Sequence, residues 1–226
     1  MLGDDFFATV KVVIYGNNFP QQIIDIEIEQ LSDLEQLYIN AAKVPEATIR
    51  KLASLKKLNS LVLADFGYSP EVFRQLADCP SLMHLTVSQG NLTTDHLREL
   101  KSFAQLAGFQ WTKAPLTDDG LLAICELRKL KSLDLLWSAG RKAPPLTARG
   151  FQGLAQLQEL EQFKLSGPAD DAMAAIAKLP NVHSVQLWAD ALTDVGMLHM
   201  ASLTKLRELK SDSELITDAG LAALRK

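Results

Sequence analysis

The sequence is poor in the residues that cross-link small proteins or bind metals. It contains only two cysteines, Cys79 and Cys125, and they form no C-x-x-C pair. Aromatic residues make up 7% of the 226 positions, and no apolar run approaches the roughly 20 residues needed to cross a bilayer. These features exclude a disulfide framework and a cysteine-rich zinc module, and we expect both thiols to be reduced.

An excess of basic charge is also lacking. Twenty-three Lys and Arg stand against 27 Asp and Glu, giving a formal net charge of −4. A chain with this balance creates no general attraction for phosphate backbones or anionic lipid, so we expect neither a nucleic-acid partner nor a membrane partner. The first five residues, Met1 to Asp5, carry acids where a signal peptide needs bases, which favours a cytoplasmic location.

Motifs for chemistry are missing as well. The sequence has no phosphate-binding glycine loop and no nucleophile elbow, and its four histidines lack metal-ligand spacing, so we expect them to be scattered and solvated. The carboxylate pairs Asp118-Asp119 and Asp170-Asp171 fall where Thr-Asp recurs in other repeats, which indicates a structural role. We therefore predict no catalytic residue, no metal site, no cofactor and no enzymatic activity.

Leucine is the residue in excess, with 39 copies, and its positions are periodic. Leu31-x-x-Leu34-x-x-Leu37-x-Ile39 recurs every 24 residues as far as Leu127, then after 30, 22 and 24 residues. The pattern L-x-L at the end of each unit is typical of a short strand whose alternate side chains point inward.

A second pattern lies between these units, at Leu116-Thr-Asp-Asp-Gly-Leu121, Leu192-Thr-Asp-Val-Gly-Met197 and Ile216-Thr-Asp-Ala-Gly-Leu221. It predicts helix starts with Thr117, Thr193 and Thr217 as N-caps and an aspartate in the first turn. Ser69-Pro70 is predicted to start a helix in the same way. Each repeat is therefore expected to be a strand, a turn and a short helix.

These patterns resemble those of the leucine-rich repeat family, over roughly residues 31 to 226. The L-T-D-x-G-L helices are similar to those of bacterial ribonuclease-inhibitor-like and cysteine-containing repeats. The resemblance implies an α/β leucine-rich repeat solenoid, or horseshoe, with a parallel sheet on the concave side and helices on the convex side. The usual Asn or Cys position holds other residues, such as Phe66 and Gly90, so no asparagine ladder is expected.

The repeats suggest a division into residues 1–30, a β-rich N-terminal cap with the first strand, and residues 31–226, about eight repeats in one continuous domain. Stacked repeats share one core, so Trp111 and Phe163 at inward positions are predicted to be buried. Cys79 is also predicted to lie in the core, whereas Cys125 follows an inward position and is expected to be partly exposed.

Binding residues are expected where bulky or charged side chains break the repeat at solvent-facing strand positions. Large apolar groups occur there near the only insertion, Ser138–Pro145, beside the small residues Ser166 and Gly167. Tryptophan and arginine are favoured anchors of protein interfaces. The predicted protein-binding residues are Asp134, Leu136, Trp137, Arg141, Lys164, Gln186 and Trp188.

These observations favour a non-enzymatic scaffold, which we expect to be monomeric, that binds a protein through its concave face. Alternatively, residues 139–145 fold back over Trp137 and leave no binding surface. The resemblance also permits a delivered bacterial effector or the recognition subunit of an enzyme complex. A structural alternative is self-association through the C-terminal repeat, which lacks a recognisable cap.

Overall fold

The computed structural model describes residues 12–15, 31–40, 44–89, 92–112, 116–136, 146–167, 169–188 and 192–225. The chain divides into two compact units, Met1–Ala107 and Gly108–Lys226. Of the predicted N-terminal cap, residues 1–30, only residues 12–15 belong to the described part of the chain. In the described part of the chain, no helix is both long and apolar enough to cross a bilayer.

Unit 1 contains four parallel strands that follow one another in chain order. Inward residues pair with partners 24 positions away, as Leu37 with Leu61 and Leu61 with Leu85. The strands are β1 Val12–Tyr15, β2 Gln36–Asn40, β3 Ser60–Ala64 and β4 His84–Ser88. The helices are α1 Glu46–Lys51, α2 Pro70–Gln75 and α3 Thr94–Glu99, continued by 3-10 turns at Leu52–Ser54, Leu76–Asp78 and Leu100–Ser102.

Unit 2 repeats this arrangement with five parallel strands. They are β5 Gly108–Thr112, β6 Ser132–Leu136, β7 Gln162–Ser166, β8 Ser184–Trp188 and β9 Glu208–Ser211. The helices are α4 Asp118–Ile124, α5 Ala148–Gln152, α6 Ala169–Ile176, α7 Asp194–Met200 and α8 Asp218–Ala222, with a 3-10 turn at Gly153–Gln156 after α5. Leu133 still pairs with Phe163, so the six-residue insertion leaves the strand register intact.

The periodic leucines form the core of both units, as the strand pattern predicts. Within β3, Leu61 and Leu63 are buried while Val62 between them is partly exposed, because alternate side chains of a strand point to opposite faces. Trp111 and Phe163 are 3% and 0% exposed, which confirms their predicted place in the core. Burial of such side chains contributes about 1.5–3 kcal/mol each to folding.

The two cysteines are both free and buried. Cys79 lies in the core as predicted, and its Sγ lies 3.4 Å from the carbonyl oxygen of Leu55. The expectation of partial exposure for Cys125 is wrong, because the turn at Gly153 packs against it: a Cβ on Gly153 would lie 3.1 Å from the Cys125 Sγ. Burial raises the pKa of Cys125 to about 12, so this thiol is unreactive in the folded protein.

In unit 1, aromatic side chains pack at a repeat position that an asparagine would occupy in an asparagine ladder. Phe66 occupies that position, is 1% exposed, and makes edge contacts with Phe73 and His96. His96 is therefore not solvated as expected: it is 5% exposed. Its Nδ1 accepts the backbone N–H of Thr93 at 3.1 Å, and its Nε2 donates to the carbonyl of Tyr68 at 2.7 Å.

Candidate functional site

The helices of unit 2 begin where the Thr-Asp motifs predict. Thr117, Thr193 and Thr217 are N-caps, and each side-chain oxygen accepts a backbone N–H from the first turn of its own helix. In unit 1, Ser69 precedes α2 but makes no capping hydrogen bond with its side chain, so the prediction is wrong in that detail. The fixed φ of Pro70 at the first helical position is already suitable for a helix start.

Three aspartates lie in the first turn of their own helix and also accept hydrogen bonds from the next repeat. Asp118 accepts hydrogen bonds from the backbone N–H of Thr147 at 2.9 Å and from its Oγ1 at 2.5 Å. Asp170 accepts the same pair of bonds from Thr193, at 2.9 and 2.7 Å. Asp194 does so from Thr217, at 2.9 and 2.6 Å. A carboxylate thus stabilises the start of each following helix.

These bonds affect the acidity of the aspartates. Hydrogen bonds from Thr217 lower the pKa of Asp194. For Asp118, desolvation raises the pKa, but the bonds from Thr147 and the charge of Arg149 outweigh it, so its pKa is also lowered. Both carboxylates are therefore held in the ionised form that accepts hydrogen bonds best.

The motif glycines make room for these carboxylates. A Cβ on Gly150 would lie 2.4 Å from Asp118 Oδ1, one on Gly196 would lie 2.4 Å from Asp170 Oδ1, and Gly220 has the same relation to Asp194 at 2.2 Å. Helical glycine normally costs about 1 kcal/mol relative to alanine, and at these three positions the close approach of the carboxylate explains why glycine is present.

Within unit 2, the pair of repeats that contains α5 and α6 has neither the acid nor the glycine. Ala148 stands at the aspartate position of α5, and at the glycine position of the following helix α6 stands the buried residue Ala172. Without a carboxylate at position 148, a methyl group at position 172 has nothing to displace. In this pair of repeats the alanine at position 148 and the alanine at position 172 are therefore compatible with each other.

The predicted binding residues that the structure describes lie on the face of the sheet turned away from the helices, which we call the outer face. Asp134, Lys164 and Gln186 form one row on adjacent strands, since Asp134 pairs with Lys164 and Lys164 with Gln186. The Lys164 Nζ lies 3.5 Å from Asp134 Oδ2. Lys164 and Gln186 are partly exposed, as a solvent-facing row predicts.

Asp134 departs from its predicted exposure. It is only 6% exposed, and its Oδ1 is buried without a hydrogen-bond partner. Burial raises the pKa of Asp134, and the neighbouring Lys164 only partly opposes this effect. The alternation along the strand places Asp134 on the outer face, but it does not predict that neighbouring groups bury this side chain.

An apolar edge lies above this row, where the strands end. Trp188, the last residue of β8, is 42% exposed, and its register partner on β7 is the small residue Ser166. Leu136 ends β6 and is partly exposed. Trp137 and Arg141, the other two predicted binding residues, lie outside the described residues.

A polar network borders the row on β8 and β9. The Glu208 carboxylate accepts from Ser184 Oγ at 2.7 Å and lies 2.8 Å from Lys210 Nζ. Hydrogen bonds from Lys210 and Ser184 lower the pKa of Glu208 to about 2. The cation of Lys210 is thereby paired, as that of Lys164 is with Asp134.

Comparison with known proteins defines the fold. No protein-family model matches the sequence, and no curated protein matches it. Among solved structures, the chain is similar to TLR13 in a complex with ssRNA13, at 16% identity and a TM-score of 0.57, covering 96% of this chain and 35% of that one. An internalin, inlF from Listeria monocytogenes, matches at 16% identity and a TM-score of 0.52, covering 88% and 67%.

The fold is that of the leucine-rich repeat proteins. At this identity the likeness extends to the fold alone. The chain spans about a third of the TLR13 chain that it matches. The predicted α/β leucine-rich repeat solenoid is thus confirmed, with parallel strands alternating with helices in each unit.

The last two repeats of unit 2 expose more apolar side chains than the repeat pattern predicts. Val195 and Leu198 on α7 are 56% and 63% exposed, and Leu215 and Leu221 are 53% and 54% exposed. The repeat pattern does not predict the exposed pair on α7. Their signal in the sequence is an apolar pair three residues apart on the helix face opposite Met197 and Met200.

The described residues contain no group of three or more His, Cys, Asp or Glu side chains placed to hold a metal. In unit 1 an open groove of about 410 Å³ is lined by residues including Lys56, Pro80 and Met83. The predicted binding residues that the structure describes lie on the outer face of unit 2.

Proposed function

We propose that this leucine-rich repeat chain is a non-enzymatic scaffold that recognises a protein through the outer face of unit 2. The observation that carries the proposal is Trp188, which is 42% exposed at the end of a strand whose neighbouring residue Leu187 is 1% exposed. A tryptophan held by a rigid strand loses little conformational freedom when it is buried by a partner. Leu136 extends the same apolar edge, and we include Trp137 and Arg141 in the proposed site.

The charges of the outer face favour a protein over a nucleic acid. Lys164 lies against Asp134, and Lys210 against Glu208, so both described lysines of this face are neutralised locally. Backbone recognition of nucleic acid needs cations free to replace counterions along a stripe. Paired charges around an apolar centre instead match the polar rim of a protein interface.

One of the two similar structures contains a nucleic acid. The TLR13 structure is of a complex with single-stranded RNA, whereas the name of the internalin states no ligand. RNA is therefore the alternative that the experiment must distinguish. We further propose that the repeats are of the bacterial type and that the protein acts as a cytoplasmic monomer, consistent with the L-T-D-x-G-L motifs and the acidic net charge.

The test is affinity capture from the native cell with the wild type and two matched variants. Trp188→Ala is expected to lose a protein that the wild type retains. Met83→Ala, which removes an apolar side chain of similar exposure (44%) in unit 1, is expected to keep it. Thermal unfolding of both variants should match the wild type.

A titration with labelled single-stranded RNA completes the test. RNA binding that Trp188→Ala abolishes would contradict the assignment to a protein partner. A loss of several degrees in Tm for Trp188→Ala would show that the side chain belongs to a covered cluster, in agreement with the alternative fold of residues 139–145.

A further inference from the structure

The start of helix α3 is capped by a histidine where other helices use an acid or an amide. Thr93 is the N-cap residue, and His96 is the third residue of the helix, where a capping box usually has Glu or Gln. The Nδ1 atom of His96 accepts the backbone N–H of Thr93 at 3.1 Å and lies 2.8 Å from the Thr93 Oγ1. Histidine is the side chain whose charge ordinarily changes between about pH 5 and 8, so this cap can respond to pH.

The other ring nitrogen joins α3 to the preceding repeat. Because Nδ1 accepts a backbone N–H, the proton of the neutral ring is on Nε2, which donates to the carbonyl oxygen of Tyr68 at 2.7 Å. The Tyr68 hydroxyl in turn donates to the carbonyl oxygen of Val44, one repeat earlier. In unit 2, first-turn aspartates of three helices make the contact between repeats, whereas α2 begins with Pro70, which carries no such acceptor. A neutral imidazole thus takes the place of a carboxylate here.

The surroundings of the ring are apolar. His96 is 5% exposed, and its ring makes edge contacts with Phe66 and Phe73 at centroid distances of 6.1 and 6.0 Å. The charged and titratable side chains of the elements around it are Asp65 and Tyr68 before α2, Glu71 and Arg74 on α2, and Asp95, Arg98 and Glu99 on α3. Within the described residues, no carboxylate of this set forms an ion pair or a hydrogen bond with the ring.

The acids of this set interact with other partners. Glu71 and Asp95 each pair with an arginine of their own helix, at 2.8 and 2.7 Å. Asp65 accepts a hydrogen bond from the Asn40 amide at 3.1 Å, and the charge of Glu99 acts on the arginine of α2. A second proton on the ring would therefore place a positive charge in an apolar site at the positive end of a helix, which is unfavourable.

We propose that His96 is a pH-sensitive contact between α3 and the preceding repeat. With a neutral ring the contact is closed, because both ring nitrogens are hydrogen-bonded. A proton on Nδ1 can be accepted by Thr93 Oγ1, but it leaves the Thr93 N–H facing a second donor and brings a charge into the apolar site. In mildly acidic solution the start of α3 and residues 65–69 then separate by local opening. The contact lies in unit 1, so the proposal does not depend on the function proposed for Trp188.

The test compares amide hydrogen exchange of the full chain at about pH 7.5 and about pH 5. Rates are expressed as protection factors, so that the intrinsic pH dependence of exchange cancels. We expect the protection factors of residues 97–100 to fall about tenfold at the lower pH. The first turn of α5 is the internal control, because the pKa of Asp118, which bonds Thr147, is lowered and this acid stays ionised at both pH values.

Two variants assign the effect to the ring of His96. His96→Gln keeps an acceptor for the Thr93 N–H and a donor for the Tyr68 carbonyl but does not titrate in this range. Its protection factors should be the same at both pH values, whatever their absolute size. The matched control is His84→Gln, which removes an exposed histidine of unit 1 and should keep the tenfold fall.

Three results would overturn the proposal. One is wild-type protection of residues 97–100 that does not change between the two pH values. Another is a fall in protection that persists in His96→Gln or that His84→Gln removes. The third is a ring ¹⁵N spectrum at the higher pH that places the proton of His96 on Nδ1, because the ring could not then accept the Thr93 N–H. None of these results bears on capture through Trp188, so the two proposals fail independently.

Discussion

Replacing Gly150 with alanine is expected to change stability in opposite directions, depending on whether Asp118 is present. In the wild type the new Cβ would lie 2.4 Å from Asp118 Oδ1, so the carboxylate must move and give up its bonds to Thr147. Losing such a capping contact costs about 1–2 kcal/mol, and residual strain adds to it. The better helix propensity of alanine returns about 1 kcal/mol. We expect a net loss of about 1 kcal/mol.

The same substitution should stabilise the Asp118→Ala variant by about 0.5–1 kcal/mol, because the oxygen that it would displace is gone and the propensity gain remains. The coupling between the two sites is then about 2 kcal/mol. Urea unfolding of the four chains of this double-mutant cycle measures it. Gly67→Ala is the control, since a Cβ there would meet nothing within 4 Å and should act equally in both backgrounds.

The pH dependence of this coupling free energy provides an independent check. The folded-state pKa of Asp118 is lowered, so its contribution to stability is complete above the pKa of the unfolded chain and disappears as the pH falls through the folded value. The coupling should shrink over that acidic range. A coupling below about 0.5 kcal/mol at neutral pH would refute the view that the carboxylate joins the repeats.

Two further predictions concern buried polar groups. Asp134→Asn should stabilise the protein by about 1 kcal/mol at neutral pH, since it removes a buried charge with an unpartnered oxygen. The pKa of Asp134 is raised in the fold, so ionisation of this group destabilises the wild type as the pH rises from the unfolded to the folded pKa. The stability gained by Asp134→Asn should therefore vanish in acid. A gain that persists in acid would contradict the view that it comes from removing a buried charge. His96→Leu should cost about 1–2 kcal/mol in urea unfolding, because it removes the buried imidazole that bonds the Thr93 N–H and the Tyr68 carbonyl. The exposed His84→Ala should have no measurable effect.

The strands and the core could be predicted from the sequence because both follow from the 24-residue period of its leucines. Leu37, Leu61 and Leu85 are 24 residues apart and are register partners in the sheet. The same reasoning placed Trp111 and Phe163 inside. A strand exposes only one face to the core, so alternation alone decides which side chain is buried there.

The second role of Asp118 could not be predicted in this way. A search within one repeat identifies it as a first-turn acid, whereas its hydrogen-bond partner Thr147 lies 29 residues further along. The burial of Asp134 could not be predicted for a related reason, because the strand pattern gives the face on which a residue lies but not what covers it. Of the predicted binding residues, Trp188, Leu136, Lys164 and Gln186 lie on the partly or fully exposed outer face.

The shared change at Ala148 and Ala172 has a consequence for how such chains diverge. An aspartate introduced at position 148 would meet the methyl group of position 172, and a glycine introduced alone at 172 would only weaken a helix. We therefore expect substitutions at positions 148 and 172 to be tolerated better as a pair than singly. In homologous sequences, the residue at an acid position should vary together with the residue at the glycine position one repeat later. A consensus sequence built from single repeats does not contain this correlation between repeats.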